Sequence, residues 1–514
     1  MALKDDFYLE VARASKILNL EPVRELPDEV KLSDFPVIPG YRAGARLVDR
    51  TLEFSSELDW RRLRSVMKRE AFILFLPDDL DENSLVYDLA WAYSDPPIEW
   101  WMECMEAVKL ESKLLPAYNP ITLLQSGRKS TLNVIRGVVK ALRAAFQMGQ
   151  PICPELYYVI MRSQIRGLAE LSEGERKILN VFQREPSMKL EGICRETGMS
   201  KSVASRIINR LRNKGVLFGP HQVFLRDLNL YHFLISFPND SRRMHFYRFP
   251  FTFRMFIPVS READALAFLI LPSEARASLS RLPPGLEGYF ISHFGYSFQF
   301  DEPEPARALE AMSEAILSGD EGFQFRPIGP RMLRLRLDKE DMRILAIVSR
   351  TGKATVQALE EEGVKSAKVR LQRLRKAGLI TCSHKIEGVN PQNALLIRLK
   401  VDENEMSRAA SVIARVTSLV AFHAVRLRDG STELIAVAFP SDGLRSVLPR
   451  NLRILFGDDL IMAEGLYTFL QRWEIPYERW DEEMQSFIWK EDFERLVKEL
   501  MGVSRTNHSR VTRE

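Results

Sequence analysis

Two stretches of the chain carry the residue types that a helix needs in order to enter a groove of DNA. The first runs from Gly198 to Lys214, GMSKSVASRIINRLRNK, and the second from Gly363 to Lys376, GVKSAKVRLQRLRK. Arginine donates paired hydrogen bonds to guanine, asparagine pairs with adenine, and lysine or arginine neutralises phosphates. We therefore predict that both stretches contact double-stranded DNA.

In the first stretch, the residues predict a tight turn at Gly198, a helix cap at Ser200 and then a helix with two faces. Its apolar residues, from Ala204 to Leu211, recur at helical spacing and are expected to be buried. We assign Arg206 and Asn209 to base contacts and the cations near the helix end to phosphates. The predicted DNA-binding residues are Lys201, Ser202, Ser205, Arg206, Asn209, Arg210, Arg212 and Lys214.

The second stretch repeats this pattern with more positive charge. Its predicted DNA-binding residues are Lys365, Ser366, Lys368, Arg370, Arg373, Arg375 and Lys376. The first four are expected early on the helix and the last three at phosphates, while Gln372 is the nearest counterpart of Asn209. The sequence therefore predicts that the first helix makes more of the base contacts and the second more of the phosphate contacts.

The charge distribution points to the same partner. The net charge is only +4, but residues 198–226 contain six lysines and arginines and no acid, and residues 363–386 contain seven and no acid. Segregated positive charge is typical of proteins that bind a polyanion. Acids elsewhere in the fold that neutralise these faces are the competing interpretation.

Each basic stretch is the third helix of a predicted three-helix unit. Ser172 and Glu175 form a capping box before the first unit. LDKEDMRILAIV in the second unit matches LSEGERKILNVF in the first, and LRKAGLI matches LRNKGVL. Each unit is expected to end in a β-hairpin, a wing, over Val216–Leu225 and Leu379–Gly388.

We expect the wing tips to reach an adjacent DNA groove. His221 and Gln222 lie at the predicted tip of the first wing, and His384 and Lys385 at the tip of the second. We call residues 171–228 the first head and residues 331–390 the second head. Loss of DNA binding by one head, which then contacts a protein instead, is the alternative for either head.

A second repeated pattern is an apolar strand, a proline and a helix start. It occurs in FILFLPDD, AFLILPSE and IAVAFPSD, and the last two copies are 168 residues apart. The heads are about 165 residues apart, so the order and spacing predict a duplicated unit of head plus α+β module. A third α+β module is expected to precede the first head.

The heads and modules resemble the Lrp/AsnC, or feast/famine, transcription regulators over roughly Leu171 to Leu470, in two copies. The resemblance implies winged helix-turn-helix heads that bind DNA. It also implies ferredoxin-like (RAM-like) α+β modules that mediate assembly and can bind small effectors such as amino acids. The tandem copies depart from the usual single copy, and the effector-side turn matches the family poorly in RLRDGSTEL and PVSREADAL.

The expected fold class is therefore α+β, with two winged helix-turn-helix domains that alternate with ferredoxin-like modules after an N-terminal α+β module. The predicted boundaries are an N-terminal segment at 1–40, the N-terminal module at 41–119, a helical connector at 120–170, the first head at 171–228, module 2 at 229–330, the second head at 331–390, module 3 at 391–484, and a C-terminal helix and tail at 485–514.

The expected function is a DNA-binding transcription regulator that acts as a pseudo-dimeric monomer or a homodimer. A scaffold that contacts RNA polymerase or basal factors is the first alternative. Siroheme decarboxylases resemble the same architecture, and His423 would then be the residue to test, although no triad, carboxylate pair or phosphate loop accompanies it. We expect no enzyme activity and no cofactor, and a small-molecule effector is a candidate partner.

Cysteine and histidine spacing favours no metal site, because the four cysteines form no CxxC pair and no HExxH occurs. No apolar run reaches the roughly 20 residues of a membrane span. The N-terminus, MALKDDFYLE, has acids where a signal peptide is apolar. The expected location is the cytoplasm, in association with the nucleoid.

Overall fold

A computed structural model describes most of the 514-residue chain. The described residues are 2–39, 42–77, 87–94, 129–150, 171–214, 216–240, 249–260, 262–300, 302–318, 323–327, 335–386, 394–469 and 475–511, together with residues 96, 100, 104, 152, 156, 160, 242, 245 and 246. The chain divides into two compact units, one of Met1–Leu171 with Arg212–Gly215 and one of Ser172–Leu211 with Val216–Glu514.

The N-terminal unit combines helices with a small mixed sheet. The central strand pairs in parallel with the first strand and antiparallel with the second, and Phe54, Phe72 and Leu142 are fully buried in the core. The part of the predicted helical connector at 151–170 lies outside the described residues except for positions 152, 156 and 160. The elements are α1 Ala2–Leu18, β1 Glu29–Ser33, β2 Ala45–Val48, β3 Thr51–Ser55, α2 Trp60–Ile73, α3 Tyr87–Ser94 and α4 Lys129–Gln147.

The strand predicted for the apolar run of FILFLPDD, residues 72–76, is wrong. Asp59 caps helix α2, whose last turn includes Ala71, Phe72 and Ile73. The apolar run arises because every residue from Ala71 to Leu76 is buried at the end of a helix. A short apolar run does not distinguish a buried strand from a buried helix end. FILFLPDD is therefore not a third copy of the strand–proline pattern.

The helices of the second unit form a three-helix group in each head, and other helices cover the large sheet, whose strands follow each head in sequence. None of the described helices of the chain is both long and apolar enough to cross a membrane. They are α5 Glu173–Arg184, α6 Leu190–Thr197, α7 Lys201–Lys214, α8 Ala275–Leu279, α9 Ala308–Leu317, α10 Lys339–Thr351, α11 Val356–Glu361, α12 Ala367–Lys376, α13 Met406–Ala414, α14 Asp442–Phe456 and α15 Lys490–Val511.

The strands of the second unit form one large sheet and three small pairs. They are β4 Leu217–Phe218, β5 His221–Val223, β6 Leu230–Phe237, β7 Thr252–Pro258, β8 Ala265–Pro272, β9 Glu287–Ser297, β10 Arg326–Pro327, β11 Ile380–Cys382, β12 Lys385–Ile386, β13 Ala394–Leu399, β14 Ser418–Arg426, β15 Thr432–Phe439, β16 Leu460–Phe469, β17 Trp480–Asp481 and β18 Ser486–Phe487.

The large sheet is antiparallel, in the order β10-β9-β14-β15-β13-β16-β7-β8-β6, and an additional β9–β6 pairing closes it into a barrel. The strands after the first head pair as β9-β6-β8-β7, and those after the second as β14-β15-β13-β16. The two sets meet at β9–β14 and at β7–β16. The two edge strands of each set therefore pair with the two edge strands of the other set, and these pairings close the barrel.

Alternation along the strands divides the barrel into an inner and an outer core. Phe268, Phe422 and Ile435 pack inside. Leu419 and Ala436 belong to the outer core, which α9, α13 and α14 cover. The chain is thus a mixed α/β protein in which a closed sheet follows and connects the two heads.

The wings differ from the prediction. We expected each head to form its own hairpin, but β4 pairs with β12 and β5 pairs with β11. Each wing strand of the first head therefore pairs with a wing strand of the second head. Local sequence predicts a turn between two apolar runs, whereas the choice of pairing partner depends on a segment about 160 residues away.

Candidate nucleic-acid interface

The first head positions α7 through two capped helices. The capping box predicted for Ser172 and Glu175 is present at the start of α5. Helix α6 ends at Gly198, whose φ of 70° places it in the left-handed region that suits glycine. Ser200 Oγ then accepts a hydrogen bond from the backbone N–H of Val203 at 3.4 Å. The predicted turn and the predicted cap are both confirmed.

Helix α7 has the two predicted faces. Ala204, Ile208 and Leu211 are buried, together with Ile207. The opposite face is open to solvent, and its exposed polar residues are Lys201, Ser202, Arg206, Asn209 and Arg210, while Ser205, Arg212 and Lys214 are half-buried. A buried face and a polar face on one short helix are what a groove-binding helix requires.

The cations of α7 differ in their partners. Lys201 Nζ lies 3.1 Å from Glu191 Oε1, in a pair that is exposed at both ends. Arg206 makes neither an ion pair nor a hydrogen bond with the described residues, and it is exposed at the middle of the helix. Among the predicted residues of the first head, Arg206 is therefore the cation best placed to contact a base.

The side chain of Arg210 makes its contacts within its own head. Its Nε donates to Glu175 Oε1 at 2.8 Å and its Nη2 to Ser172 Oγ at 3.2 Å. Glu175 is 1% exposed, so this arginine neutralises a buried carboxylate of the capping box. We predicted a phosphate contact for Arg210, and the structure gives it an internal partner.

The second head repeats this construction with different caps. Asp338 and Asp341 form a capping box at the start of α10, and Thr355 caps α11. Ser366 has a φ of 54° and makes no side-chain cap. Helix α12 begins only at Ala367, so Lys365 and Ser366 precede the helix instead of lying on its first turn as predicted.

Two arginines of α12 point to the capping box of their own head. Arg370 Nη1 lies 2.6 Å from Asp338 Oδ1 and 3.0 Å from Asp341 Oδ1. Arg373 donates to the second oxygen of Asp341, which is fully buried. Arg373 precedes LRKAGLI as Arg210 precedes LRNKGVL, so the two heads share this arginine–acid contact.

The remaining polar residues of α12 lie at the surface. Lys365, Lys368, Gln372 and Lys376 are exposed. Val369, which aligns with Arg206, is 69% exposed. Arg375 donates to the backbone oxygen of Ala354 at 2.6 Å and contacts His221 Nε2 at 3.2 Å.

The residues of the predicted wing tips lie in the contact between the two heads. The backbone N–H of Ala354 donates to His221 Nδ1 at 3.3 Å. His384 is 8% exposed, and its ring centroid lies 4.2 Å from that of Phe182. Gln222 and Lys385 belong to the paired strands. The wing residues therefore contact the opposite head, because the wings pair with each other.

His423, the candidate catalytic residue of the enzyme alternative, lies on β14 and is 6% exposed. It stacks on His293 of β9 with ring centroids 5.5 Å apart. Burial lowers the pKa of His423 below its ordinary value, and the neighbouring His293 acts in the same direction, against an opposing contribution from Glu403. The described residues hold no group of three or more His, Cys, Asp or Glu side chains that fits a metal ion.

Sequence reasoning missed the contacts between the third helix and the capping box. Part of the signal was present, because the capping box of the first head was predicted and each third helix carries an arginine at the same distance from its last apolar residues. A basic residue on a recognition helix was assigned to DNA when its carboxylate partner lay 30 residues or more earlier in the chain.

Comparison with known proteins supports the first head directly. Residues 172–217 match the family model described as winged helix-turn-helix DNA-binding. No curated protein sequence matches the chain. A crystal structure of the siroheme decarboxylase NirDL, in complex with an iron-uroporphyrin III analogue, aligns with 64% of this chain and 99% of its own, at 14% identity and a TM-score of 0.32. The chain therefore carries a winged helix-turn-helix DNA-binding domain in its first head.

Proposed function

We propose that the chain is a DNA-binding transcription regulator whose first head makes the principal contacts with base edges. The observation that carries this proposal is α7, which lies within the matched domain, buries one face and exposes Arg206 on the other. Arg206 and Asn209 project from the same helix and have the donors and acceptors that guanine and adenine recognise.

The second head is proposed to be a winged helix as well. Its capping box, helix order and arginine–acid contact repeat those of the first head. Lys365, Lys368 and Lys376 are exposed cations whose ammonium groups pair with no acid among the described residues, which suits contact with phosphates. In this proposal, the second head contributes affinity more than base recognition.

The modules that follow the heads are proposed to be ferredoxin-like and to be related by duplication. The strands of each set pair so that the fourth lies beside the first and the third lies between the first and the second. Their closure into one barrel supports a role in assembly, and a small effector remains a candidate ligand. We place the protein in the cytoplasm with the nucleoid, as a pseudo-dimeric monomer or a homodimer.

A gel-shift titration of the full chain against duplex DNA at two salt concentrations tests the proposal. Affinity should fall steeply with salt, because each neutralised phosphate releases about 0.9 counterion. Arg206→Ala should weaken binding by roughly tenfold or more, and Lys368→Ala should weaken it less and reduce the salt dependence. Absence of binding at low salt would reject the proposal.

A matched control removes an equal charge elsewhere in the same head. Arg184 lies on α5, is 70% exposed and pairs with Glu196 at the surface. Arg184→Ala should therefore leave DNA affinity nearly unchanged. If Arg184→Ala and Arg206→Ala weaken binding equally, the interface is general positive charge and not α7.

The exposed valine of α12 favours one second candidate, a contact between the second head and a protein such as RNA polymerase or a basal factor. Val369 is 69% exposed where α7 carries Arg206, and an apolar surface residue suits a protein partner better than a phosphate. Co-purification with polymerase that survives nuclease treatment and is lost in Val369→Asp would support this candidate.

The proposal includes no enzyme activity. Mixing the full chain with iron-uroporphyrin III should therefore leave the absorption spectrum of the porphyrin unchanged. A shifted absorption band that disappears in His423→Ala would instead favour chemistry on a tetrapyrrole and would contradict this part of the proposal.

A further inference from the structure

The wings of the two heads are exchanged in a reciprocal way. The first wing strand of the first head, β4, pairs with the second wing strand of the second head, β12, with Leu217 opposite Ile386. The first wing strand of the second head, β11, pairs in turn with β5, with Ile380 opposite Val223. Two identical exchanges relate the heads by an approximate two-fold axis, as in an isologous dimer.

Hydrogen bonds repeat the same reciprocity. The backbone N–H of His221 donates to the oxygen of Gly352, at the end of α10, at 3.1 Å. The backbone N–H of His384 donates to the oxygen of Pro186, just after α5, at 2.8 Å. Each wing is therefore bonded to the end of the first helix of the other head.

The backbones of the two heads approach so closely at the wings that the heads cannot slide past each other. A Cβ atom built at Gly352 would lie 2.9 Å from the backbone nitrogen of Gly219, and one built at Gly219 would lie 2.9 Å from the backbone oxygen of Ser383. Leu217 and Ile386 are both nearly fully buried in the pairing. Because buried, close-packed groups have few alternative arrangements, the heads form one body.

The barrel has the same relation between its halves. The second strand of the first set, β7, pairs with the fourth strand of the second set, β16, and β9 pairs with β14 in the reciprocal way. The wings and the barrel thus join the two copies independently at separate places in the fold. Neither connection resembles a flexible tether between independent domains.

We infer that the exchanged wings lock the two heads into a single DNA-reading unit, which accepts two inverted half-sites at one spacing only. The inference rests on the proposed DNA-binding function. The inverted order follows from the two-fold relation of the heads. The half-sites are unequal, because Arg206 of α7 aligns with Val369 of α12.

The spacing is tested on duplexes selected by the full chain from a random-sequence library. The selected sites should contain two inverted half-sites at a constant separation. Inserting one base pair between them turns one half-site by roughly 34° and moves it by about 3.4 Å. Affinity should then fall at least about tenfold, and a full helical turn should restore little of it because the heads cannot separate.

A cross-link across the wings tests the lock separately. Gln222 and Thr381 lie opposite each other in the β5–β11 pairing. The double variant Gln222→Cys, Thr381→Cys, oxidised and verified by mass, should bind the selected duplex as well as its reduced form does. Loss of binding on oxidation would show that the heads must separate, and would overturn the inference.

The outcomes distinguish the inference from the function on which it rests. Failure to select or bind any duplex at low salt would reject the DNA-binding function itself. Binding that tolerates several spacings, or selection of one half-site alone, would leave that function in place and reject the locked pair. Constant spacing together with unchanged affinity after cross-linking would support both.

Discussion

The first head places one arginine on the buried acid of its capping box, and the second head places two. Arg210 contacts Glu175 while half of its own side chain is exposed, whereas Arg370 and Arg373 both contact the fully buried Asp341. The second head therefore uses more of its positive charge internally. Its higher count of cations does not translate into a more available basic surface.

The two third helices differ in the opposite sense at the surface. Helix α7 exposes Arg206, and α12 exposes Val369 at the aligned position. The number of cations along a helix therefore overestimates the positive charge that a nucleic acid can contact. The arginines must first be divided between the carboxylates of the fold and the solvent.

The largest expected effect is a difference in stability between variants of the two capping boxes. Asp341→Ala should lower the free energy of opening of the second head by about 3–5 kcal/mol, because it leaves two arginines without their buried partner. Glu175→Ala should cost the first head about 2 kcal/mol, since only one half-exposed arginine is affected. Hydrogen exchange of amides in α5 and α10 of the full chain measures both values.

Glu173→Ala provides the control for this pair. Glu173 lies on the first turn of α5, is 83% exposed and pairs with Lys177 at the surface. Its loss should change the exchange of α5 amides by less than about 0.5 kcal/mol. Equal costs for Asp341→Ala and Glu175→Ala would contradict the proposed difference between the heads.

The next effect is a pH dependence of stability in the module that follows the first head. The module that follows the second head has no counterpart of it. His232 of β6 lies against Phe253 and Phe294, with ring centroids 5.4 and 5.9 Å away. Burial, followed by the positive charges of Lys385 and Arg254, lowers the pKa of His232 to about 4. The corresponding strand β13, ALLIRL, contains no histidine.

Because the unfolded chain takes up this proton near pH 6.5 and the folded chain only near pH 4, stability should fall as the pH falls through that window. The loss attributable to His232 should approach about 3 kcal/mol at pH 4 and vanish above pH 7. Urea denaturation of the wild type and of His232→Gln measures it as a difference. Identical pH profiles for the two proteins would contradict the assignment.

A third prediction converts the surface of one head into that of the other. Val369→Arg should give α12 the exposed cation that α7 has in Arg206, and should tighten DNA binding by about 1 kcal/mol. The slope of log affinity against log salt should steepen by about 0.9 for one additional phosphate contact. Val369→Gln, of similar length and without charge, should leave that slope unchanged.

The smallest expected effect concerns the residues that precede the two helices. Ser200→Ala should destabilise the first head by about 1 kcal/mol, because it removes the hydrogen bond to the Val203 N–H. Ser366→Gly should instead stabilise the second head by about 0.5 kcal/mol, since Ser366 has a φ of 54° and caps nothing. Amide exchange in α7 and α12 measures the two changes in stability. A loss of stability in Ser366→Gly would count against the left-handed conformation of Ser366.

Much of each head follows from the sequence alone. The capping box of the first head, the turn at Gly198 and the buried stripe of α7 are local patterns, and each depends on residues within about four positions of one another. One strand of each module, in AFLILPSE and in IAVAFPSD, was also visible as an apolar run before a proline, and the two runs lie 168 residues apart. Local backbone preferences and apolar periodicity are sufficient to determine such elements.

Only the tertiary structure decided which elements become partners. Two apolar runs and a turn predict a hairpin, but strands β4 and β5 obtain their hydrogen bonds from β12 and β11 instead. In the same way, AFILFL is apolar because it lies at the buried end of a helix and not in a strand. Arg210 and Arg373 bind buried carboxylates that lie far away in the sequence. Backbone donors and side-chain charges are satisfied by whichever group the fold brings near, and a linear sequence does not specify that group.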